Sequence, residues 1–189
     1  MSFIETIPEP DAAGQLADLY KRFGNPDGTV DNVLKVHSLN PDSLEAHCAL
    51  YVQACHRPGP VSRAEREMVG VVVSRLNKCA YCREHHAAGL RRLLPDDRRG
   101  LEQTLATGDL ITAPITARER AMLAYAIRLT LDPSGVGEGE FGPMREAGVT
   151  DREILDVAQV AAYFAYANRI VLGLGAALEE GEGPLGEWP

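Results

Sequence analysis

The sequence predicts an all-α fold, and three observations predict it. Apolar residues recur at spacings of three and four along most of the 189 residues, with little of the period-two alternation of a strand. Three hydroxyl-x-x-Glu patterns, Ser62/Glu65, Thr116/Glu119 and Thr150/Glu153, precede apolar runs and read as capping boxes that open helices. The apolar pattern also stops at Gly24, Pro95 and Gly108, residues that end helices.

In chain order, a first helix is expected from Asp11 to Phe23, burying Leu16, Leu19, Tyr20 and Phe23. A short helix follows from Val30 to Ser38. Asn40 then reads as an N-cap with Pro41 in the first helical position, and Leu44, Cys48, Tyr51 and Cys55 mark one face of the next helix. The first capping box opens a helix to about Leu76. Asn77-Lys78 breaks the pattern, and a further helix runs from about Cys79 to Leu93. A shorter one covers Asp97 to Thr107. The second box opens a helix to about Thr130, and the third opens a long apolar helix reaching as far as Leu178. Between them, the glycine-rich stretch 132–143 reads as a connector, since it lacks the lysine and the strand of a phosphate-binding loop. Ser62–Met68 and Thr116–Met122 align hydroxyl, glutamate and methionine, which fits either a worn duplication of a helix unit or two uses of a good helix start.

Length and an apolar content of 45% fit one domain, residues 1–180, followed by a flexible tail over 181–189. A net charge of -8 and the lack of a basic stripe oppose binding to nucleic acid. The N-terminus lacks the basic and apolar regions of a secretory signal, and no apolar run suggests a membrane span, so a cytoplasmic protein is expected. In a reducing compartment, four cysteines point to redox or metal chemistry rather than to a structural disulfide framework.

That chemistry concentrates between Glu67 and His86. On a helix starting near Cys79, the residues Cys79, Cys82 and His86 stand at i, i+3 and i+7, on one face. A thiolate is the reactive form of cysteine, and an adjacent imidazole can take its proton or pair with the anion. Glu67 precedes the apolar run Met68–Val73, so its carboxylate is expected to be buried and to need a partner. If the chain reverses at Asn77-Lys78, Glu67 and His86 lie within roughly 3 Å of the same height along the hairpin. A relay of carboxylate, imidazole and thiol follows, in which the acid orients the base. The alternatives are two small core cysteines, or a zinc site using Cys79, Cys82 and His86 with His85 or Glu67, although no second ligand pair of the usual kind is present. Cys48 and Cys55 read as core fillers, His37 and His47 as satisfied structural histidines, and Tyr163, Phe164 and Asn168 as core or interface.

Glu67, eleven residues, Cys79-x-x-Cys82, three residues and His86 together resemble the signature of the carboxymuconolactone decarboxylase superfamily, in its alkylhydroperoxidase D-like branch. The flanking VSRLNKCAYC and the later LDVAQVAAYFAYANRI are similar to the peroxidase-related subgroup, so the resemblance covers roughly Val30 to Leu178. It implies an all-α homo-oligomer (dimer, trimer or hexamer) that reduces hydroperoxides without a cofactor or metal and is reset by an external dithiol of lipoyl or thioredoxin type. By position, Cys82 resembles the peroxidatic cysteine, Cys79 the resolving one, and Glu67 and His86 the proton relay. This chain departs from the pattern at Tyr81, where alkylhydroperoxidase D has a second relay histidine; a phenol is a poor general base near pH 7. The helix start favours a thiolate on Cys79 and the nearby base favours Cys82. The expected activity is a thiol peroxidase or dithiol oxidoreductase. The alternatives are a lactone decarboxylase or isomerase of the same superfamily and a non-catalytic redox sensor.

Overall fold

The computed structural model describes residues 2–179, and among them all regular structure is helical. Among the described residues nine α-helices follow one another: α1 (Gln15–Phe23), α2 (Asn32–Lys35), α3 (Pro41–Tyr51), α4 (Arg63–Leu76), α5 (Ala80–Leu93), α6 (Leu101–Thr107), α7 (Ala117–Leu131), α8 (Phe141–Glu146) and α9 (Asp151–Leu174). All three capping boxes form, with the Ser62, Thr116 and Thr150 hydroxyls accepting from the backbone N–H groups of Glu65, Glu119 and Glu153. Asn40 caps α3 as its sequence position implies.

Several boundaries differ from the expectation, each for a local reason. Gly14, at φ 56°, interrupts the first helix, which starts at Gln15 rather than Asp11. The segment expected as a helix from Val30 to Ser38 is regular only over α2. Gly100, at φ 92°, divides the Asp97–Thr107 segment into a 3-10 turn over Asp96–Arg98 and the helix α6. The 132–143 connector holds two 3-10 turns and leads into α8, hidden in the sequence by Gly142 and Pro143. Helix α9 ends at Leu174 because Gly175 takes the left-handed conformation, leaving 175–179 free to fold back. The tail expected over 181–189 lies outside the described residues.

The main core is built by α4, α5, α6, α7 and α9 around Met68, Val71, Val72, Leu90, Leu105, Met122, Val157 and Phe164. Helices α4 and α9 approach so closely at Gly70 that a Cβ there would stand 2.5 Å from the Phe164 ring. A second cluster joins α1, α2 and α3 through Leu16, Leu19, Tyr20, Phe23, Leu34, Leu44 and Cys48. A third, smaller one gathers Val36, Cys79, Tyr81, Cys82, Val171 and Ala176.

Contrary to the sequence expectation, α9 is long and apolar enough to cross a bilayer by length and composition alone. Its inward face nevertheless carries polar groups with protein partners. Glu153 pairs with Arg118 at 2.7 Å, Asp156 with Arg66 at 3.5 Å, and the Asn168 amide donates to the Ser74 hydroxyl at 3.1 Å. Such partnered groups suit the core helix of a folded bundle.

Candidate active site

Cys79 is the N-cap of α5, and Cys82 lies in the first turn. The chain reaches this point through a tight reversal at Asn77-Lys78, where Lys78 takes a left-handed φ of 57° and the Cys79 N–H bonds back to the Ser74 carbonyl at 2.9 Å. Helices α4 and α5 therefore form an antiparallel hairpin, and Glu67 meets His86 across it. The Glu67 Oε2 to His86 Nδ1 distance is 2.6 Å, with both residues buried. Burial alone would raise the Glu67 carboxyl, but the charge and hydrogen bond of His86, joined by Arg63, hold it below its usual value. Arg63 reaches Glu67 at 2.9 Å and His56 Nδ1 at 2.6 Å. His56 sits in a short π-helical turn, Val52–His56, that continues α3. Burial and the Arg63 charge hold His56 at a pKa of about 4, so it accepts from the guanidinium as a neutral ring.

Both cysteines are free thiols, and the hydrogen bond between them shifts their proton affinities in opposite directions. The Cys79 thiol is pulled down to about 7, chiefly by the hydrogen bond from Cys82, then by the Cys82 backbone N–H, the Asn168 side chain and the charge of His85. Cys82 is pushed up by that same hydrogen bond, by burial and by the charge on its partner. The dithiol therefore loses its first proton near neutrality as a pair, with the charge resting mainly on Cys79 at the helix start. Asn168 hydrogen-bonds to both sulfurs and is oriented by Ser74 and Asn77.

Cys82 borders a cavity of about 30 Å³, also lined by Tyr51, His47, His85, His86, Tyr163 and Phe164. The His86 ring is set edge-to-face against Phe164 with centroids 4.5 Å apart. With Nδ1 held by Glu67, the His86 ring forms part of the cavity wall. Cys79 opens instead onto a separate apolar groove between the start of α5 and the residues after α9, lined by Phe3, Lys78, Val171 and Ala176.

Tyr81 directs its hydroxyl to the residues after α9 and to the start of α2. Its hydroxyl donates to Glu179 Oε1 at 2.8 Å and accepts from the Val33 N–H at 3.3 Å, and burial with the Glu179 charge keeps it a phenol. Glu179 also accepts from the Asn32 N–H at 2.8 Å and pairs with His85 Nε2 at 2.9 Å. Burial would raise this carboxyl, yet His85, the Asn32 N–H and Tyr81 lower it to about 2. The fold-back after α9 thus holds Tyr81 and His85, two residues of the cavity wall. Among the described residues, no group of three His, Cys, Asp or Glu side chains is placed to hold a metal ion.

Cys48 and Cys55 are as buried as the reactive pair but lie in different apolar clusters, and burial raises both thiols, Cys48 to about 12. His37 and His47 are not the satisfied histidines expected from the sequence. Nε2 of the first and Nδ1 of the second have no hydrogen-bond partner among the described residues. Arg63, Asn168 and Glu179 are the site members that sequence reasoning did not assign.

The sequence pattern of the carboxymuconolactone decarboxylase family matches residues 41–94, which include the whole Glu67–His86 constellation. The solved structure of a peroxidase-related protein from a Silicibacter species is 32% identical, at a TM-score of 0.81, over 93% of this chain and 92% of that one. This chain belongs to the carboxymuconolactone decarboxylase superfamily, in its alkylhydroperoxidase D-like branch. A second member of that branch, the peroxidase-related alkylhydroperoxidase D core protein from Ralstonia eutropha, is 27% identical at a TM-score of 0.84, over 95% of this chain and 93% of that one. The debrominase Bmp8 shares the alkylhydroperoxidase D-like fold at 18% identity and a TM-score of 0.75, over 94% of this chain and 92% of its own. No curated protein has a sequence close enough to this one to count as a relative.

Proposed function

We propose that the protein is a thiol-dependent peroxidase, a dithiol oxidoreductase that reduces hydroperoxides through Cys82 and Cys79. The observation that carries this reading is the free dithiol at the start of α5, with Cys82 beside a small cavity and His86, held by Glu67, on the same cavity's edge. In the cycle, the Cys82 proton passes to the Cys79 sulfur as Cys82 attacks one peroxide oxygen. The S–O bond forms, the O–O bond breaks, and the leaving oxygen takes a proton from His86, whose charged form Glu67 stabilises. Cys82 is then a sulfenic acid. Cys79 attacks its sulfur, water leaves, and a Cys79–Cys82 disulfide remains. An external dithiol of lipoyl or thioredoxin type reduces it by exchange, reached through the apolar groove beside Cys79.

A cavity of about 30 Å³ has room for roughly two waters, which favours hydrogen peroxide or a small hydroperoxide over a bulky one. The same size argues against a polyhalogenated ring, the kind of substrate the debrominase's name suggests. No cofactor enters this cycle. The exposed apolar side chains Leu155, Tyr166 and Leu172 along α9 support assembly as a homo-oligomer. Steady-state consumption of hydrogen peroxide with a small dithiol is the test. Many turnovers per chain support the enzyme, whereas a single oxidation event per chain supports the redox sensor.

A further inference from the structure

Two carboxylate–imidazole pairs meet the cavity beside Cys82, and both imidazoles stand on α5. His86 is held by Glu67 within the α4–α5 hairpin. His85, three residues after Cys82, is held from outside the hairpin: its Nε2 lies 2.9 Å from Oε2 of Glu179, and its ring stands 4.2 Å from that of Tyr81. The two oxygens of Glu179 have separate tasks. Oε1 accepts from the Tyr81 hydroxyl and the Asn32 N–H, both at 2.8 Å, and so fastens the fold-back to α5 and α2. Oε2 faces His85, whose side chain is only 8% exposed, so water screens this pair weakly. The other groups around His85 are Asp31, before α2, and the cavity-wall side chains His47, Tyr51 and Tyr163. Burial raises the Asp31 carboxyl, against a hydrogen bond from Asn25. Burial and His37 hold His47 at about 3, and burial keeps both tyrosines as phenols, so none of these three is charged near pH 7.

We infer that Glu179 is a positioning residue for the dithiol: through Oε2 it keeps a positive charge on His85 near Cys82, and that charge favours the anionic form of the Cys79–Cys82 pair. This rests on the dithiol of the proposed function and names the part of the chain that tunes it. A carboxylate at 2.9 Å from a ring nitrogen stabilises the charged imidazole. The hydrogen bond from Cys82 is the largest influence that lowers the Cys79 thiol, and the charge of His85 acts in the same direction. Glu179 is itself an anion, lowered to about 2 by His85, the Asn32 N–H and Tyr81 against the effect of burial. Acting directly it repels a thiolate, so its help reaches the sulfurs only through the imidazole. The segment that Gly175 turns back is thereby a working part of the site and more than a tether.

The test is the pH profile of iodoacetamide alkylation at Cys79 in the reduced protein, with the label assigned to that sulfur by peptide fragmentation. The wild type should be half-maximal near pH 7. Glu179→Gln keeps Oε1 for Tyr81 and Asn32 but offers His85 an amide N–H, which suits a neutral ring. Its midpoint should rise by about half a unit or more, which is about threefold slower alkylation at pH 7. His85→Gln should raise the midpoint further, because the anion then stays without its partner. The deciding comparison is the double variant. In the His85→Gln background, Glu179→Gln should lower the midpoint or leave it in place, since the carboxylate there only repels the thiolate. An upward shift in both backgrounds, or a Glu179→Gln profile that overlays the wild type, would overturn the role and leave Glu179 as a tether. His85→Gln serves alone if Glu179→Gln disturbs the fold, and an unmoved profile there overturns the role equally. No peroxide enters the measurement, so failure of the peroxidase reading shows separately, as a wild type with its midpoint near 7 and no hydroperoxide turnover. A wild-type midpoint at the ordinary thiol value of about 8.5 would remove the reactive dithiol, and this inference with it.

Discussion

The molecule contains two cysteine pairs of almost equal burial and opposite character. Cys48 and Cys55 are 0% and 2% exposed, Cys79 and Cys82 1% and 4%. Exposure therefore cannot explain a thiol held near 7 in one pair and one raised to about 12 in the other. Partners explain it. Cys48 and Cys55 stand seven residues apart in separate apolar clusters, so an anion on either would lie in a medium that disfavours charge. Cys79 sits at a helix start, receives hydrogen bonds from Cys82 and from Asn168, and has a base on the same helix. The same side chain becomes structural or reactive according to the dipoles and donors within a few ångströms.

The sharpest way to break this comparison is to remove one sulfur at a time. Cys82→Ser should abolish reaction with peroxide, a loss on the order of a thousandfold or more, because the attacking atom is gone. Cys79→Ser should react once and stop at a Cys82 sulfenic acid that a dimedone-type probe traps. The charge rests mainly on Cys79, so this experiment also tests whether the Cys82 proton moves before attack. Probe labelling of Cys79 in the Cys82→Ser variant would exchange the two roles.

A smaller effect is expected at Glu67. Glu67→Gln keeps the shape but removes the charge that stabilises protonated His86, so the pair's first apparent thiol pKa should rise. Each unit corresponds to about 1.4 kcal/mol and about tenfold less thiolate at pH 7. In the wild type, alkylation should be half-maximal near pH 7, fall below it as the sulfur is protonated, and level off above it. In the variant the curve should move to higher pH with an unchanged plateau. Glu65→Gln is the control, because Glu65 caps α4 and pairs with Arg118 rather than with the site. Superimposable wild-type and Glu67→Gln curves would reduce Glu67 to a structural carboxylate.

Asn168 offers the smallest shift. Asn168→Ala removes a hydrogen bond to both sulfurs, worth about 1 kcal/mol, and should raise the thiol pKa by less than about one unit. The thermal midpoint should fall as well, since Ser74 and Asn77 lose their partner. A midpoint change with no change in the alkylation curve would assign Asn168 to the fold alone.

What was legible in the sequence follows the range of the interactions. The three capping boxes are set by residues three apart, and all three form. The Glu67–His86 contact was legible because both residues are nearly equidistant from one break in one hairpin, so local helix geometry brings them together. Asn168 belongs to α9, which begins only at Asp151, far along the chain from both cysteines, and Glu179 reaches Tyr81 only because Gly175 turns the chain back. His47 comes from α3, and nothing about its neighbours in sequence separates a core histidine from a cavity wall. Arg63 was within reach of inference, since it stands four residues before Glu67 on the same helix. The helix α8 was hidden because its glycine and proline read as breakers, although proline is tolerated in a first helical turn.

The central claim, that local partners and not burial select the reactive pair, is tested most directly by treating the reduced protein with one equivalent of hydrogen peroxide, counting thiols and mapping the peptides. The account expects two thiols lost per chain, a single Cys79–Cys82 disulfide, and Cys48 and Cys55 still reduced. Four thiols remaining, or oxidation spread over Cys48 or Cys55, would contradict it.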